Sequence, residues 1–211
     1  MTPDELAALH PKLYHVTTPG SWPQISRHGL LSARAAVALF DPERTVRTAA
    51  LERRRSTTIA LDHPELGHME INDQLPLSEK ALETCLDDGL SPLDWLSILN
   101  HRVFFWPSEK QLARLLGARM NKGRDRDVLV FDTLSVAKAH PDLVDLSPIN
   151  SGATIRRPAR RGLATFTPFA ELSYNDWRRQ RGKTDRIVEV TLRGLLPDPA
   201  AHLIRIDHHI G

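Results

Sequence analysis

The order of strand-like and helix-like patterns is the feature that most constrains the fold of this chain. Strand patterns occur at Leu13–Thr17 and Thr57–Leu61, and helical patterns occur at Pro3–Leu9, Trp22–His28 and residues 33–55. Strands and helices do not alternate regularly, as they would in a doubly wound parallel sheet. The pattern therefore predicts an α+β fold.

The rest of the chain continues this irregular order. Further strands are predicted at "HRVFFW", "DVLVFD", "RIVEVTL" and "HLIRID", and further helices at Glu79–Leu86, Pro92–Leu99, Glu109–Leu116 and Leu134–Ala139. The stretch "DHPELGHMEINDQLPLS" is predicted to be a polar connector, and the chain after Pro141 is predicted to be rich in loops. Alternation along "RIVEVTL" would turn Glu189 and Thr191 outward.

Several common kinds of site have no motif here. The chain has no GxGxxG, no GxxxxGK[ST] and no GxSxG, so a Rossmann site, a P-loop and a nucleophile elbow are not expected. His63 and His68 are not spaced as in the helical HExxH motif, and Pro64 and Gly67 indicate a loop between them. No metal is expected.

Composition bounds the class of protein. No window approaches the roughly 18 apolar residues of a membrane span, so no membrane partner is expected. The N-terminus lacks the layout of a secretory signal, and a single cysteine, Cys85, forms no internal disulfide. These features predict a cytoplasmic protein with residues 1–211 in one domain.

Charge is distributed unevenly, although the net charge is only +2. Residues 62–94 carry nine acidic residues and one basic residue, and an acidic helical insertion is predicted at about residues 76–100. Residues 151–193 carry ten basic residues and four acidic ones. Such asymmetry favours a nucleic-acid or phosphate surface, and a solvated arginine-rich face is the alternative.

Three strands carry candidate functional side chains. His15 and Thr17 share one face of the first strand, where His15 is either a satisfied structural histidine or a ligand-binding residue. Phe104 and Trp106 share one face of their strand and Phe105 takes the other; one of these two sets is expected to pack in the core, and the other either packs there as well or stacks on a flat ring. Glu189 either lines a cleft, if its strand is central, or is solvated, if the strand lies at an edge.

In their order along the chain, these pieces resemble the ADP-ribosyltransferase superfamily, and within it the DarT-type DNA ADP-ribosyltransferases. The matching residues are His15 and Thr17, Ile25 with Gly29-Leu30, Leu51 with Arg54 and Arg55, Val103 to Trp106, and Glu189 to Leu192. The chain also resembles a bacterial family of uncharacterised domains with "RVFFW", "INSGAT" and "WRRKRG"-like stretches. It departs from the DarT pattern at "PSEKQL", at residues 76–100 and just before Glu189.

The resemblance implies a split, mixed β-sheet with helices packed around it and an activity that consumes NAD as a substrate. Glu189, Arg54 and Arg55 would be catalytic, and His15, Thr17, Phe105 and Trp106 would bind NAD. Asn150, Arg160, Trp177 and Arg178 would contact the acceptor. The resemblance also implies that the acceptor is a nucleic acid, that the protein acts as a toxin and that an antitoxin binds it as a partner.

Two other functions stay open at this point. One is an enzyme similar to RNA 2′-phosphotransferases, for which arginines clustered in the cleft would be expected. The other is a catalytically inactive domain that binds a nucleotide or a partner. Glu189 separates these readings, because a carboxylate in the same cleft as His15 favours an enzyme and a solvent-facing one does not.

Overall fold

The computed structural model describes residues 1–155, 157–171, 173–181 and 187–211. The helices are α1 (Pro3–Leu9), α2 (Trp22–His28), α3 (Ala33–Phe40), α4 (Arg44–Leu51), α5 (Glu79–Glu83), α6 (Pro92–Asn100), α7 (Glu109–Leu116), α8 (Thr133–Ala139) and α9 (Tyr174–Arg181). The strands are β1 (Lys12–Thr17), β2 (Leu30–Leu31), β3 (Ile59–His63), β4 (Gly67–Ile71), β5 (Arg102–Phe105), β6 (Arg126–Asp132), β7 (Val144–Ser147), β8 (Thr167–Pro168), β9 (Glu189–Arg193), β10 (Leu195–Leu196) and β11 (Leu203–His209).

Two sheets form the centre of the molecule. One has the strand order β1-β6-β11 and the other has the order β5-β9-β7-β8. They meet where Tyr14 and Trp106 exchange two backbone hydrogen bonds of 2.9 and 2.8 Å. Leu129, Phe105 and Val190, which come from both sheets, pack in one apolar core.

These pairings confirm the α+β class. The strand pairs of the described residues are antiparallel, both in the two central sheets and in the two-stranded pairs β3-β4 and β2-β10. The resemblance implied a mixed sheet with parallel and antiparallel pairs, but the strands within the described part of the chain form no parallel pair. The division of the core into two sheets of the ADP-ribosyltransferase type stays a prediction.

Local capping signals place several helices where the sequence predicts them. At the start of α1, Thr2 Oγ1 accepts the Glu5 N–H and the Glu5 carboxylate accepts the Thr2 N–H. Ser108 caps α7 in a similar way through Gln111 N–H, and Gly117 ends that helix. Such caps use only neighbouring residues, so their outcome depends little on the rest of the fold.

Three parts of the chain differ from the sequence prediction. Residues 33–55 form two helices, because Asp41 ends α3 in a left-handed conformation (φ 45°) and Pro42 follows. The predicted polar connector, which begins at Asp62, contains the end of β3, the turn that ends at Gly67 (φ 84°) and all of β4. The loop-rich region contains β7, which is buried along its length.

The position of β9 overturns the outward orientation predicted for Glu189 and Thr191. β9 pairs with β5 on one side and with β7 on the other, so it is a central strand. Glu189 is 2% exposed and Thr191 is fully buried. The predicted strand began at Arg186, which lies outside the described residues.

Residues 76–100 contain α5 and α6, and they build an apolar cluster of their own around Trp95 and Leu82. Phe166 completes this cluster from the C-terminal half of the chain. That this segment is an insertion within a single domain remains a prediction. Among the described residues, no helix has the length and apolar character needed to cross a membrane.

Candidate active site

A cavity of about 490 Å³ opens where the two central sheets meet. This volume lies within the roughly 300–1,000 Å³ range of small-molecule sites. Its wall is formed by β1 and the following turn at residues 18–21, by the start of α3, and by residues 68–74 in and after β4. β5, Arg55, Asn150 and the first residue of β9 also contribute to the wall.

His15 lies on this wall with its protonation pattern set by the backbone. Its Nδ1 lies 2.9 Å from the carbonyl oxygen of Phe104. A carbonyl can only accept, so Nδ1 carries the proton and Nε2 of the neutral ring is left as an acceptor. Burial lowers the pKa of His15, although the bond to Phe104 acts in the opposite direction. At neutral pH this histidine therefore offers a lone pair to a hydroxyl or N–H donor.

Glu189 lies on the wall of the same cavity and is held by one serine. Ser151 Oγ donates to Glu189 Oε2 at 2.6 Å, and Ser151 N–H reaches both carboxylate oxygens at 3.1 and 3.2 Å. Burial raises the pKa of Glu189 to about 7, against the hydrogen bonds from Ser151 and the charge of Arg161, which lower it. Such a carboxyl exchanges its proton near neutral pH, as a general acid or base must.

Arg161 supports this arrangement from behind. It is 2% exposed, and its guanidinium donates to the carbonyl oxygens of Ser151 (2.7 Å), Ala153 (3.0 Å) and Ala159 (3.0 Å). The indole N–H of Trp95 also donates to Ser151 O at 3.3 Å. The loop that carries Ser151 is therefore fixed on both sides, which orients the carboxylate of Glu189.

Arg55 lines the cavity, is buried and links three separate segments of the chain through hydrogen bonds. Its Nε donates to Asn72 O at 2.8 Å, and its Nη1 donates to Ala50 O (2.6 Å) and Asn100 Oδ1 (2.8 Å). Burial lowers its pKa to about 10, with the charge of Asp73 opposing, so the group stays cationic at neutral pH. Among the described residues these bonds use Nε and Nη1, which leaves Nη2 for a ligand.

The neighbouring Arg54 points elsewhere. Its guanidinium donates to the carbonyl oxygens of Gln74 (3.4 Å) and Leu75 (3.3 Å), and its backbone N–H donates to Glu79. It does not line the cavity that His15 and Glu189 share. Its predicted catalytic role therefore does not fit its position.

The aromatic strand divides its side chains as alternation predicts. Phe104 and Trp106 line the cavity, whereas Phe105 is fully buried in the core. The Phe105 ring packs against the rings of His15 (5.8 Å between centroids) and Phe131 (5.6 Å). The predicted contact of Phe105 with NAD therefore does not fit its position, because its ring is fully buried among protein side chains.

Of the four residues predicted to contact the acceptor, Asn150 lines the cavity. Arg160 is exposed and pairs with Asp87, outside the cavity wall. Trp177 is fully buried in the core, and Arg178 lies over the ring of Tyr174 at 5.8 Å. The predicted contact of Trp177 with an acceptor does not fit this buried position.

The structure thus brings His15, Thr17, Arg55, Trp106, Asn150 and Glu189 to one cavity. Sequence reasoning missed Ser151 and Arg161, which orient Glu189. Ser151 stands in the "INSGAT" stretch noted in the sequence, and Arg161 stands in the basic region of residues 151–193. No local signal distinguishes Arg161 from Arg160, because the difference lies in which one turns toward Ser151.

A solved structure, that of Thermus sp. 2.9 DarT in complex with ADP-ribosylated ssDNA, resembles this chain with a TM-score of 0.38 and 15% identity. The comparison covers 90% of this chain and 78% of that one. No curated protein matches the chain. A family model described as "Family of unknown function (DUF7002)" matches residues 11–203. The chain therefore belongs to this family of unknown function.

Proposed function

We propose that this protein is an NAD-dependent ADP-ribosyltransferase whose reaction takes place in the cavity described above. The observation that carries the proposal is the position of Glu189. This carboxylate and His15, far apart in sequence, line one cavity of a size that suits a nucleotide. The sequence resemblance assigns the same two residues to catalysis and to NAD binding.

Glu189 supplies the chemistry in this proposal. Transfer breaks the bond between nicotinamide and ribose C1′, and positive charge develops on the ribose as it does in glycoside cleavage. An ionised carboxylate stabilises that charge and hydrogen-bonds a ribose hydroxyl. The acceptor's nucleophilic atom then bonds to C1′, and its proton passes to Glu189 or to water.

His15, Arg55 and Trp106 bind NAD in this proposal. Nε2 of His15 accepts a hydrogen bond from a ribose hydroxyl, because Nδ1 is committed to Phe104. Arg55 Nη2 binds the pyrophosphate or orients the nicotinamide end. Trp106 and Phe104 offer faces for stacking on a flat ring.

The acceptor is proposed to be a nucleic acid, in keeping with the arginine-rich composition of residues 151–193. A role as a toxin restrained by an antitoxin belongs to the same proposal. Asn150, on the cavity wall near Glu189, is the residue best placed to meet the acceptor.

The phosphotransferase alternative requires arginines clustered in the cleft, and the cavity supports it only weakly. Arg55 and Arg102 line the cavity, but Arg102 is paired with Asp145 at 3.1 Å, so the cavity offers a phosphate Arg55 Nη2 rather than a cluster of arginines. A solvent-facing Glu189 would have favoured the inactive-domain alternative, whereas Glu189 is 2% exposed.

The test is release of nicotinamide from NAD by the purified protein, with single-stranded DNA, RNA or cell protein added in turn. Wild type is compared with Glu189→Gln, which keeps the shape of the side chain, and with the exposed control Glu43→Gln. We expect turnover in wild type and in the control and its loss in Glu189→Gln. The additive that accelerates turnover identifies the acceptor class.

NAD binding is measured on the same proteins by calorimetry. Binding without turnover would overturn the proposed enzyme and leave a nucleotide-binding domain. Turnover that persists in Glu189→Gln would overturn the role of Glu189. Absence of both binding and turnover would overturn the proposal as a whole.

A further inference from the structure

A second cluster of polar side chains lies away from the cavity, where the end of α8 meets the segment before β11. His140 Nε2 lies 2.8 Å from Asp198 Oδ1, and His202 Nε2 lies 3.2 Å from the same oxygen. The two imidazole rings stand nearly perpendicular, with centroids 5.4 Å apart. None of these three residues lines the cavity that contains His15 and Glu189.

The geometry of the cluster matches the needs of a small divalent cation. The three potential ligand atoms all lie within 4.8 Å of one another. Zinc bonds of about 2.0–2.2 Å at tetrahedral angles place ligand atoms roughly 3.4 Å apart. Two imidazole nitrogens and one carboxylate oxygen are a ligand set that catalytic zinc sites use, with water in the fourth position.

The surroundings also orient the ligands. Nδ1 of His202 lies 2.7 Å from Ser135 Oγ, which leaves Nε2 as the nitrogen aimed at the cluster. A metal-binding histidine usually has such a partner on its other ring nitrogen. His202 is buried, His140 is half-buried and Asp198 is exposed, so the cluster is built on one side and open to solvent on the other.

Asp198 has no competing local task in the described structure. It stands at the N-cap position of the 3₁₀ turn Pro199–Ala201, yet its side chain makes no capping hydrogen bond there. An aspartate at such a position normally accepts a backbone N–H. Here its carboxylate turns to the two histidines instead.

We propose that His140, Asp198 and His202 form a zinc-binding site that joins the end of α8 to the segment leading into β11. Each imidazole binds the metal through the Nε2 lone pair of its Nδ1–H tautomer, and a ring that is doubly protonated before binding releases its Nε2 proton to solvent. Water completes the coordination. The spacing of the three residues matches no metal motif, which explains why the sequence predicted no metal.

Zinc at this position would act on stability. Asp132 N–H already donates to His202 O at 2.9 Å, and Asp132 caps α8 through Ser135 N–H at 2.7 Å. The metal would add a bond from His140 at the other end of α8. A ligand that binds only the folded state raises the midpoint of unfolding.

The experiment titrates Zn²⁺ into the full chain after treatment with a chelator. Affinity is measured by competition with a chromogenic chelator, and unfolding is followed by thermal denaturation. Wild type should bind one equivalent and unfold at higher temperature with zinc. His140→Ala and Asp198→Asn should each weaken zinc binding at least roughly tenfold. In zinc sites, mutation of the residues that hydrogen-bond to the ligands already lowers metal affinity by about that factor.

His209→Ala is the matched control, since His209 lies on β11 outside the cluster, and it should bind zinc like wild type. Asp198→Asn is the variant least prone to unfolding, because Asp198 is exposed. Absence of zinc binding in wild type would overturn the site. Equal affinity in wild type and in both cluster variants would overturn it as well.

Discussion

Glu189 combines burial with a proposed task that requires charge. Its carboxyl is 2% exposed, and Ser151 supplies the hydrogen bonds that keep an ionised form accessible. A fully solvated glutamate would have an ordinary pKa. A buried glutamate without the hydrogen bonds from Ser151 would have a higher pKa and stay protonated. The hydrogen bonds from Ser151 and the charge of Arg161 therefore limit how far burial raises the pKa of Glu189.

The first prediction concerns the pH dependence of stability at Glu189. Its pKa rises from 4.5 in the unfolded chain to about 7 in the fold. The stability it contributes is therefore complete below pH 4.5 and lost as pH rises through 7. One pKa unit corresponds to about 1.4 kcal/mol, so Glu189→Gln should gain on the order of 3 kcal/mol relative to wild type between those limits.

Urea unfolding of both proteins at a series of pH values measures this difference, and Glu43→Gln serves as the exposed control. A difference between Glu189→Gln and wild type that does not change with pH would contradict the prediction. In the proposed function turnover requires the ionised carboxylate, so turnover should instead rise as pH increases through about 7.

The second prediction concerns His15. Replacement by alanine removes the hydrogen bond proposed between His15 and NAD, worth about 1 kcal/mol, and should weaken NAD binding roughly fivefold. Burial lowers the pKa of His15, so affinity should hold at neutral pH and fall only in more acidic solution, where Nε2 becomes protonated. Calorimetric titration with NAD measures both effects. Unchanged affinity in His15→Ala, beside an unchanged His209→Ala control, would assign His15 to structure alone.

At the scale of elements, a charge cluster joins three strands of the sheet that carries Glu189. Asp145 on β7 is 1% exposed and pairs with Arg102 on β5 (3.1 Å) and with Arg193 on β9 (2.6 Å). Burial raises the pKa of Asp145, and both arginines oppose that shift. Because Arg102 also lines the cavity, this cluster ties the cavity wall to the strands behind it.

The third prediction follows from this cluster. Asp145→Asn leaves two partly buried arginines without their carboxylate, a change that costs about 3–5 kcal/mol for buried pairs. Asp4→Asn is the control, because Asp4 forms an exposed pair with Lys138 at 3.4 Å, and such a pair contributes less than about 1 kcal/mol. Free energies of unfolding in urea compare the two variants. Similar losses in both would show that the cluster adds no more than a surface pair.

At the scale of the whole molecule, residues 76–100 are bound to the rest of the chain by several kinds of contact. Asn100 accepts from Arg55, Ser78 N–H donates to Thr154 Oγ1 at 2.6 Å, and Phe166 stacks on Trp95 with centroids 5.9 Å apart. These contacts reach both the N-terminal and the C-terminal halves. Their number and burial favour one cooperative unit.

The fourth prediction is that α6 and β6 unfold together. Their most protected amides should exchange hydrogen with the same opening free energy, equal to that of global unfolding. Native-state hydrogen exchange across a series of denaturant concentrations measures both. A lower plateau for α6 than for β6 would identify residues 76–100 as a unit that opens on its own.

The sequence by itself determined the local elements and two of the site residues. The bounds of α1, α2 and α7 follow from prolines, capping side chains and glycines that act on adjacent backbone groups. His15 and Glu189 stood out because each interrupts an apolar strand, and both lie on the cavity. Such signals need no knowledge of distant residues.

Only the tertiary structure decided which neighbours face the site. Arg161 rather than Arg160 supports Glu189, Phe105 joins the core while Trp106 meets the cavity, and Asp198 and His202 join His140 across the fold. Adjacent residues differ in these outcomes because the pairing of strands remote in sequence determines which side of each segment is covered. Long-range pairing, and not residue type, therefore decides that Arg161 is buried behind the site and that Arg160 is exposed at the surface.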